Sequence, residues 1–208
     1  MTKGKFITFE GPDGSGKTTV SKAVCERLQA EGIAVVYTRE PGGSEIAEQI
    51  RNVILDPNNT KMDPRTEALL YAASRRQHLV EKVLPALAKG THVICDRFVD
   101  SSLAYQGYGR QIGIDEVYRI NVFAIDDCMP DKTLYFDVSV ETGLGRIASR
   151  TYLDRLDQES VSFHKKVWEG YHAVVEKYPD RIQVIDAEKP LNEVIEETYR
   201  AVKDIING

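Results

Sequence analysis

Gly11-Pro12-Asp13-Gly14-Ser15-Gly16-Lys17-Thr18 is the most specific motif of this chain. It fits the pattern G-x-x-x-x-G-K-[ST], in which a glycine-rich turn aims backbone N–H groups at phosphate oxygens. The apolar run 6–10 before it predicts a buried strand, and the pattern of 19–31 after it predicts a helix. Strand, loop and helix in this order predict a P-loop, with Lys17 on the outer phosphates and Thr18 on Mg²⁺.

The overall numbers restrict the class of protein. The chain has 208 residues, 42% of them hydrophobic, which predicts a single domain, 1–208, with a real core and at most a small lid. The net charge of −5 argues against a protein that binds nucleic-acid polymers or membrane surfaces through general positive charge. Cations that hold a polyanionic ligand must therefore be concentrated locally.

The cysteines and the hydropathy bear on the compartment. Cys25, Cys95 and Cys128 are odd in number and form no C-x-x-C pair, which is typical of small core residues in a reducing compartment. No apolar run approaches the ~20 residues of a membrane span. The N-terminus lacks the apolar segment of a signal peptide. We therefore expect a cytoplasmic protein.

Strand and helix patterns alternate along the whole chain. This alternation predicts an α/β fold of the P-loop NTPase type, with a five-stranded parallel sheet flanked by helices. The predicted strands cover 5–10, 33–38, 92–96, 133–138 and 182–186. The predicted helices cover 19–31, 44–55, 63–89, 114–124, 141–148, 159–178 and 191–206. Pro85 should kink the third of them.

Polar residues follow the second and third predicted strands, where ligands bind in open α/β sheets. The turn Arg39-Glu40-Pro41-Gly42-Gly43 is either part of such a site or a solvated turn into a helix with Ser44 as N-cap. Asp96-Arg97 predicts a second carboxylate for Mg²⁺ and a guanidinium fork for phosphate, with a surface ion pair as the alternative. The hydroxyls, amide and glycines of 100–110 predict a loop that hydrogen-bonds a small polar ligand.

Two further segments are candidates for ligand contact. Tyr71 and Arg75 are four residues apart and share a helix face, which suits either an ordinary pair or a platform and donor for a planar ring. His78 is expected to be structural. The segment 150–157 is charged and lacks apolar periodicity, so we expect a mobile lid, about 146–157, that carries Arg150 and Arg155. The chain contains no Asn-Lys-x-Asp segment that would read guanine, and these features together favour a small kinase.

Five blocks of the sequence closely resemble thymidylate kinase (dTMP kinase), and they cover essentially the whole chain in order. The blocks are Phe9-Glu10-Gly11-x-Asp13-Gly14-x-Gly16-Lys17-Thr18-Thr19, Thr38-Arg39-Glu40-Pro41-Gly42-Gly43, Asp96-Arg97-Phe98, Ser101-Ser102-Leu103-Ala104-Tyr105-Gln106-Gly107 and Arg155-Leu156-Asp157. Lid arginines, with none among residues 12–15, resemble the bacterial form of the family. The resemblance implies a transferase of nucleotide biosynthesis that moves the ATP γ-phosphoryl group to dTMP on the way to dTTP.

The resemblance also assigns the site residues. It implies catalytic roles for Lys17, Arg97 and a lid arginine, Arg150 or Arg155, and places Arg146 beside adenine. It places Mg²⁺ on Thr18 and Asp96, largely through water. It implies that the ATP phosphates contact Gly11, Pro12, Asp13, Gly14, Ser15, Gly16, Lys17, Thr18 and Thr19. It implies that dTMP contacts Asp13, Arg39, Glu40, Pro41, Tyr71, Arg75, Arg97, Ser101, Ser102, Tyr105 and Gln106.

Several details within this resemblance can be checked. Tyr71 should stack on thymine where the family often has Phe, and Arg75 should donate to thymine O4. Glu40 should join the water network around Mg²⁺, and Lys17 should face solvent until ATP arrives. A homodimer is implied, with faces around Leu69 and Val117. The alternatives are a kinase for another monophosphate such as dUMP, and a regulatory module that binds nucleotide without transferring phosphate.

Overall fold

The computed structural model of the protein describes residues 3–148 and 151–208. Strands β1 to β5 cover Phe6–Glu10, Val35–Arg39, His92–Asp96, Lys132–Asp137 and Ile182–Asp186. Within the described residues they form one five-stranded sheet in the order β2-β3-β1-β4-β5, and every neighbouring pair is parallel. The predicted α/β fold is confirmed. The central strand, β1, leads directly into the P-loop.

Helices lie on both faces of this sheet and leave its carboxyl edge open. Helices α1 to α9 cover Lys17–Ala30, Glu45–Leu55, Pro64–His78, Leu84–Ala88, Val99–Ser102, Ile114–Ile125, Val140–Ala148, Val161–Lys177 and Leu191–Asn207. Asp63 caps α3 by accepting from the N–H groups of Arg65 and Thr66, as its position before Pro64 predicts. Among the described residues, no helix is both long and apolar enough to cross a membrane.

The core is divided between the two faces of the sheet. Alternate residues of β1 enter different clusters. Phe6 packs with Leu79 and with residues of α3, α4, α5, α6 and α8, whereas Ile7 packs with Val24 and with residues of α1 and α9. Every residue of β1 is buried, as expected for the central strand of a parallel sheet. The three cysteines are free and buried in this core, which agrees with their predicted role.

The helix predicted over 63–89 is not continuous. After α3 the backbone passes through a π-helical turn, Leu79–Val83, and regains α-helical geometry at α4, where Pro85 follows Leu84. Proline has no N–H to donate and its ring crowds the preceding turn, so the wider turn accommodates it. The predicted kink thus takes the form of a π-helical turn.

The segment 100–110, predicted to be a ligand-binding loop, is helical instead. It comprises α5 and a π-helical turn, Leu103–Gly109, and most of its residues are buried. The turn packs closely on α8, where a Cβ on Gly170 would lie 2.7 Å from the Tyr108 Cβ. The polar residues of this segment are therefore held on a rigid element, which suits a site that must position donors accurately.

The exposed side of α6 lies away from Val117. The resemblance implies a subunit face on the helices around Leu69 and Val117, and on α6 Val117 itself is fully buried in the core. Phe123, two turns later on a different side of the helix, is 92% exposed, and Leu69 on the neighbouring α3 is 56% exposed. Buried and exposed apolar residues thus occur on the same helix, α6. The sequence pattern does not distinguish the side that faces the core from the side that is exposed, and the structure does.

Candidate active site

The P-loop joins β1 to α1 and packs against α7. Gly14 has φ +79°, and a Cβ there would lie 2.2 Å from the Gly143 carbonyl oxygen, so only glycine fits. Gly16 precedes the first helical residue, Lys17, and offers no side chain to cap the helix. The Ser15 hydroxyl is buried and has no hydrogen-bond partner within 3–148 and 151–208. An uncapped helix N-terminus beside an unsatisfied hydroxyl suits a phosphate ligand.

Lys17 lies inside the loop rather than in solvent, so the expected solvent-facing side chain is wrong. Its side chain is buried, and the Nζ donates to the Pro12 carbonyl oxygen at 3.1 Å. Burial, together with the positive charge of Arg97, lowers the pKa of Lys17 to about 8. The loop thus curls around its own lysine, and the Pro12 carbonyl serves as the acceptor for the ammonium.

Thr18 and Asp96 meet at the start of α1. The Thr18 hydroxyl donates a short hydrogen bond to the Asp96 carboxylate, and the Tyr37 hydroxyl lies 3.4 Å from the same oxygen. Parallel strands β1 and β3 are neighbours, which brings the residues after β1 beside the last residue of β3. A hydroxyl and a carboxylate are ligands that Mg²⁺ accepts, directly or through water. These residues therefore fit the predicted metal.

Arg97 lies at the centre of the site. Its guanidinium donates to the Asp13 carboxylate at 2.6 Å, to the Gly11 carbonyl at 3.0 Å and to the Tyr171 hydroxyl at 3.1 Å. Burial alone would lower the pKa of Arg97, but Tyr105 and Asp13 raise it above its ordinary value. Its φ of +69° is uncommon for a residue with a side chain. Such strain persists where surrounding contacts hold a functional group in place.

A buried acid, Glu10, holds two of the hydrogen-bond partners of Arg97, namely Ser101 and Tyr171. Glu10 accepts from the Phe98 backbone N–H at 2.6 Å, from the Ser101 hydroxyl and from the Tyr171 hydroxyl at 3.2 Å. Burial, and then the nearby charge of Asp100, raise the pKa of Glu10 to about 7. Sequence reasoning missed both Glu10 and Tyr171. Glu10 could have been suspected because it is a charged residue at the end of a largely apolar, buried strand.

Arg75 is fully buried at the other end of the site. Its Nε donates to Glu40 at 2.7 Å, one terminal nitrogen donates to Ser102 at 3.2 Å and to Asn121, and the other donates to the Phe98 carbonyl at 2.8 Å. These four acceptors fix the guanidinium plane before any ligand binds. Arg75 also lines the cleft described below, so it presents a fixed donor to a ligand there.

Glu40 is a positioning group, because side chains contact both of its carboxylate oxygens; its expected place in the water network around Mg²⁺ stays a prediction. One carboxylate oxygen accepts from Arg75, and the other lies 2.9 Å from Nδ1 of His78. His78 Nε2 lies 2.6 Å from the Thr38 hydroxyl, so the imidazole is satisfied on both sides. His78 is structural, as predicted, because it holds Glu40, which in turn holds Arg75.

The turn after β2 belongs to the site. The Glu40–Pro41 peptide is cis, and the Pro41 carbonyl accepts from Arg39 at 2.7 Å and from Arg51 at 2.9 Å. Arg39 also donates to Glu48 at 3.1 Å. The alternative of a solvated turn is therefore wrong. Arg51 was not predicted, although it lies one turn after Ala47 on the buried side of α2, which was a readable signal.

Most of the side chains described above line one cleft with a volume of about 200 Å³. A cleft with a few convergent polar groups is typical of sites for small molecules. Every residue predicted to bind dTMP lines it, together with Lys17, Thr18 and Asp96. Tyr71 lies on its wall, as a ring platform requires. The cleft also includes residues that sequence reasoning missed, namely Arg51, Leu55, Asp154 and Leu156.

The predicted lid arginines have different positions. Arg146 lies in the last turn of α7 and donates to the Gly14 carbonyl at 3.1 Å, in the P-loop. Arg150 lies outside the described residues. Arg155 is buried, and donates to the Ile54 carbonyl at 2.7 Å and to Glu67 at 2.6 Å. The part of the lid around Arg155 is thus fastened to α2 and α3 rather than exposed, because a buried carboxylate accepts its arginine.

Comparison with known proteins agrees with this geometry. A family model described as thymidylate kinase matches residues 9–198. Thymidylate kinase from Clostridium novyi (strain NT) is 59% identical over 98% of this chain and 100% of its own length. Thymidylate kinase from Bacillus pumilus (strain SAFR-032) is 57% identical over 98% of this chain and 97% of its own length. The crystal structure of thymidylate kinase from Ehrlichia chaffeensis is 35% identical and superposes with a TM-score of 0.77, covering 97% of this chain and 99% of that one. The chain therefore belongs to the thymidylate kinase family.

Proposed function

We propose that this protein transfers the γ-phosphoryl group of ATP to dTMP, giving dTDP and ADP. The observation that carries the proposal is a single cleft that runs from the P-loop to a buried arginine, with Arg97 between them. A phosphate oxygen of dTMP forms the new bond to the γ-phosphorus, and the bond from that phosphorus to the β–γ bridging oxygen breaks. The acceptor oxygen is already ionised, so the step needs no general base.

Electrostatics carries the proposed reaction. Two polyanions must approach each other, and Lys17, Arg97 and Arg39 supply positive charge around the point of transfer. Mg²⁺ bound near Thr18 and Asp96 would neutralise phosphate charge. Phosphate oxygens would also give Lys17 a better acceptor than the Pro12 carbonyl, which favours its charged form.

The buried end of the cleft fits a pyrimidine. Arg75 would donate to O4 of thymine, and the amino group of cytosine would instead place a donor against it. Tyr71 would stack on the ring, and Ser102 and Gln106 would complete its polar edge. Tyr105, whose hydroxyl donates to Asp13 at 2.6 Å, would lie under the deoxyribose. Pro41 and Ser101 would line the path between base and phosphate.

A lid arginine would complete the charge around the transferred group. Arg150 and Arg155 are the two candidates, and Arg146 would pack near adenine. Arg155 would first have to leave Glu67. Separate Arg150→Ala and Arg155→Ala variants distinguish them, because loss of the arginine that acts in the transition state lowers kcat much more than it raises KM for dTMP.

A coupled assay for ADP release with a panel of monophosphates tests the proposal. Turnover with dTMP should far exceed that with dCMP or with ribonucleotides. Some dUMP should be used, because one methyl group in an apolar pocket is worth only about 1–3 kcal/mol. A clear preference for dUMP would favour the alternative kinase. Binding of ATP and dTMP without ADP release would instead indicate a regulatory module.

We further propose a homodimer, working in the cytoplasm, that pairs through α3 and α6. The support is the apolar patch around Leu69 and Phe123, since soluble monomers rarely expose adjoining large apolar side chains. Phe123→Asp should halve the mass seen by sedimentation velocity. Val161→Asp, which changes another exposed apolar residue on α8, should leave the mass unchanged. A wild-type monomer at assay concentration would overturn the proposed pairing.

A further inference from the structure

A second buried carboxylate, Glu67 on α3, is not accounted for by the proposed reaction. It is 1% exposed and accepts from Arg155 at 2.6 Å, from Arg110 at 3.1 Å and from the side-chain amide of Gln106 at 2.8 Å. Two of these donors come from elements distant in sequence, and the third is a residue of the cleft. The carboxylate therefore connects the region around Arg155 with the base end of the site.

Glu67 acts only as an acceptor. Two guanidinium groups pair with it, and one of them, Arg110, also pairs with Glu159. Burial alone would raise the pKa of Glu67, but the hydrogen bond and charge of Arg110 lower it below the ordinary value. At neutral pH the group is an ionised carboxylate, which has lone pairs and no hydrogen to donate.

This constraint fixes the orientation of the Gln106 amide. The amide has a donor end and an acceptor end, and the acceptor-only Glu67 must face the donor end, Nε2. The carbonyl end, Oε1, is then the part of the side chain left for a ligand. Among the described residues no side chain or backbone group donates to Oε1. Oε1 is also not one of the polar atoms that are fully buried without a hydrogen-bond partner. Gln106 lines the cleft, so this acceptor is open to it.

A fixed acceptor discriminates between pyrimidines at ring position 3. Thymine and uracil carry a hydrogen on N3 and can donate to Oε1. Cytosine has a bare lone pair on N3, so two acceptors would meet. We propose that Glu67 is a positioning residue that locks the Gln106 amide and so selects pyrimidines with a hydrogen on N3. The proposal rests on the proposed function and adds a determinant distinct from Arg75, which faces the substituent on carbon 4.

The test compares dTMP with 5-methyl-dCMP, which keeps the methyl group and changes N3 and the carbon-4 substituent. In Glu67→Gln the neighbour can donate as well as accept, so the Gln106 amide can turn and donate to cytosine N3. The ratio of kcat/KM for dTMP to that for 5-methyl-dCMP should fall about tenfold, the size of one hydrogen bond. Any general loss of activity affects both substrates and cancels in the ratio.

Two further variants separate positioning from general damage. Arg119→Gln removes an exposed cation that pairs with Glu116 rather than with Glu67, and should leave the ratio unchanged. In a Gln106→Met background, Glu67→Gln should have no further effect on the ratio, because the group through which it acts is absent. An unchanged ratio in Glu67→Gln alone, or an equal fall in both backgrounds, would overturn the proposal.

A measurement on the unsubstituted protein covers the case in which Glu67→Gln does not fold. With isotope-labelled protein and dTMP, a scalar coupling across the hydrogen bond should link thymine N3 to the side-chain carbonyl carbon of Gln106. A well-resolved N3 imino proton that shows no such coupling would contradict the proposal. If wild type does not phosphorylate dTMP, the proposed function fails. If it does so and prefers dTMP while the ratio is insensitive to Glu67, only the present inference fails.

Discussion

Replacing Lys17 with methionine should separate the stability of the protein from its catalysis. Burial lowers the pKa of Lys17 from 10.5 to about 8, so keeping the ammonium charged in the folded protein at pH 7 costs about 3 kcal/mol. Lys17→Met keeps the length of the side chain and removes this charge. We expect the free energy of unfolding without nucleotide to rise by up to about 3 kcal/mol, reduced by the lost hydrogen bond to Pro12, while turnover is abolished.

The change in the free energy of unfolding with pH tests the direction of this effect. Between pH 8 and 10.5 the unfolded chain holds a proton on Lys17 that the folded chain has released, so wild-type stability rises with pH across this window. The stability advantage of Lys17→Met should therefore shrink from pH 8 to pH 10.5. Urea unfolding at several pH values, with activity measured in parallel, tests both points.

A matched control lies on the same helix. Lys22 is exposed on α1, and Lys22→Met should change neither the stability by more than about 0.5 kcal/mol nor its pH dependence. The reasoning fails if Lys17→Met destabilises the protein, or if its stability relative to wild type does not vary between pH 8 and 10.5. If Lys17→Met turned over within tenfold of wild type, Lys17 would have no essential part in the mechanism.

Three other substitutions test separate parts of the fold. Because burial raises the pKa of Glu10 to about 7, wild-type stability falls as pH rises from 4.5 through 7, and Glu10→Gln should remove that slope in urea titrations; a parallel slope would contradict it. Arg155→Met should lower the free energy of unfolding by about 1–3 kcal/mol because the buried Glu67 loses a charged partner, and a change near zero would show that this contact adds nothing. Gly170→Ala should cost about 1–3 kcal/mol because its Cβ would meet the facing π-helical turn at 2.7 Å. Gly145→Ala, with nothing within 4 Å of its Cβ, is the matched control and should not destabilise the protein in the same melting assay.

The parts of the site that the sequence predicted share one property. The P-loop and Arg97 each follow a strand directly, Arg39 is the last residue of another, and parallel strands bring their carboxyl ends to one edge. A local motif therefore fixed their position in space once the strands were identified. The spacing of Tyr71 and Arg75 put them on one helix face, which is also a local relation, and the family resemblance then assigned Arg75 to the base.

The parts that could not be predicted depend on partners distant in sequence. Glu67 and Gln106 are 39 residues apart, and Glu10 and Tyr171 are 161 apart. No local pattern announces that such polar groups will be buried together. Polarity instead suggested exposure, which is why 100–110 was expected to be a loop and Lys17 to face solvent. Buried polar groups are tolerated where each finds a partner, and those partners appear only in the folded chain.

The arginines of the cleft differ in burial in a way that matches what each is proposed to hold. Arg75 is 1% exposed and has four fixed acceptors, whereas the side chains of Arg97 and Arg39 are 17% and 38% exposed. A neutral base offers one polar edge and cannot attract a donor from a distance, so its donor must already be in place. Phosphates attract cations strongly and change position as the transfer proceeds, so the more exposed Arg39 suits them beside Arg97, which its contacts hold in place. The same residue type thus serves rigid recognition at the buried end of the cleft and adaptable neutralisation at its mouth.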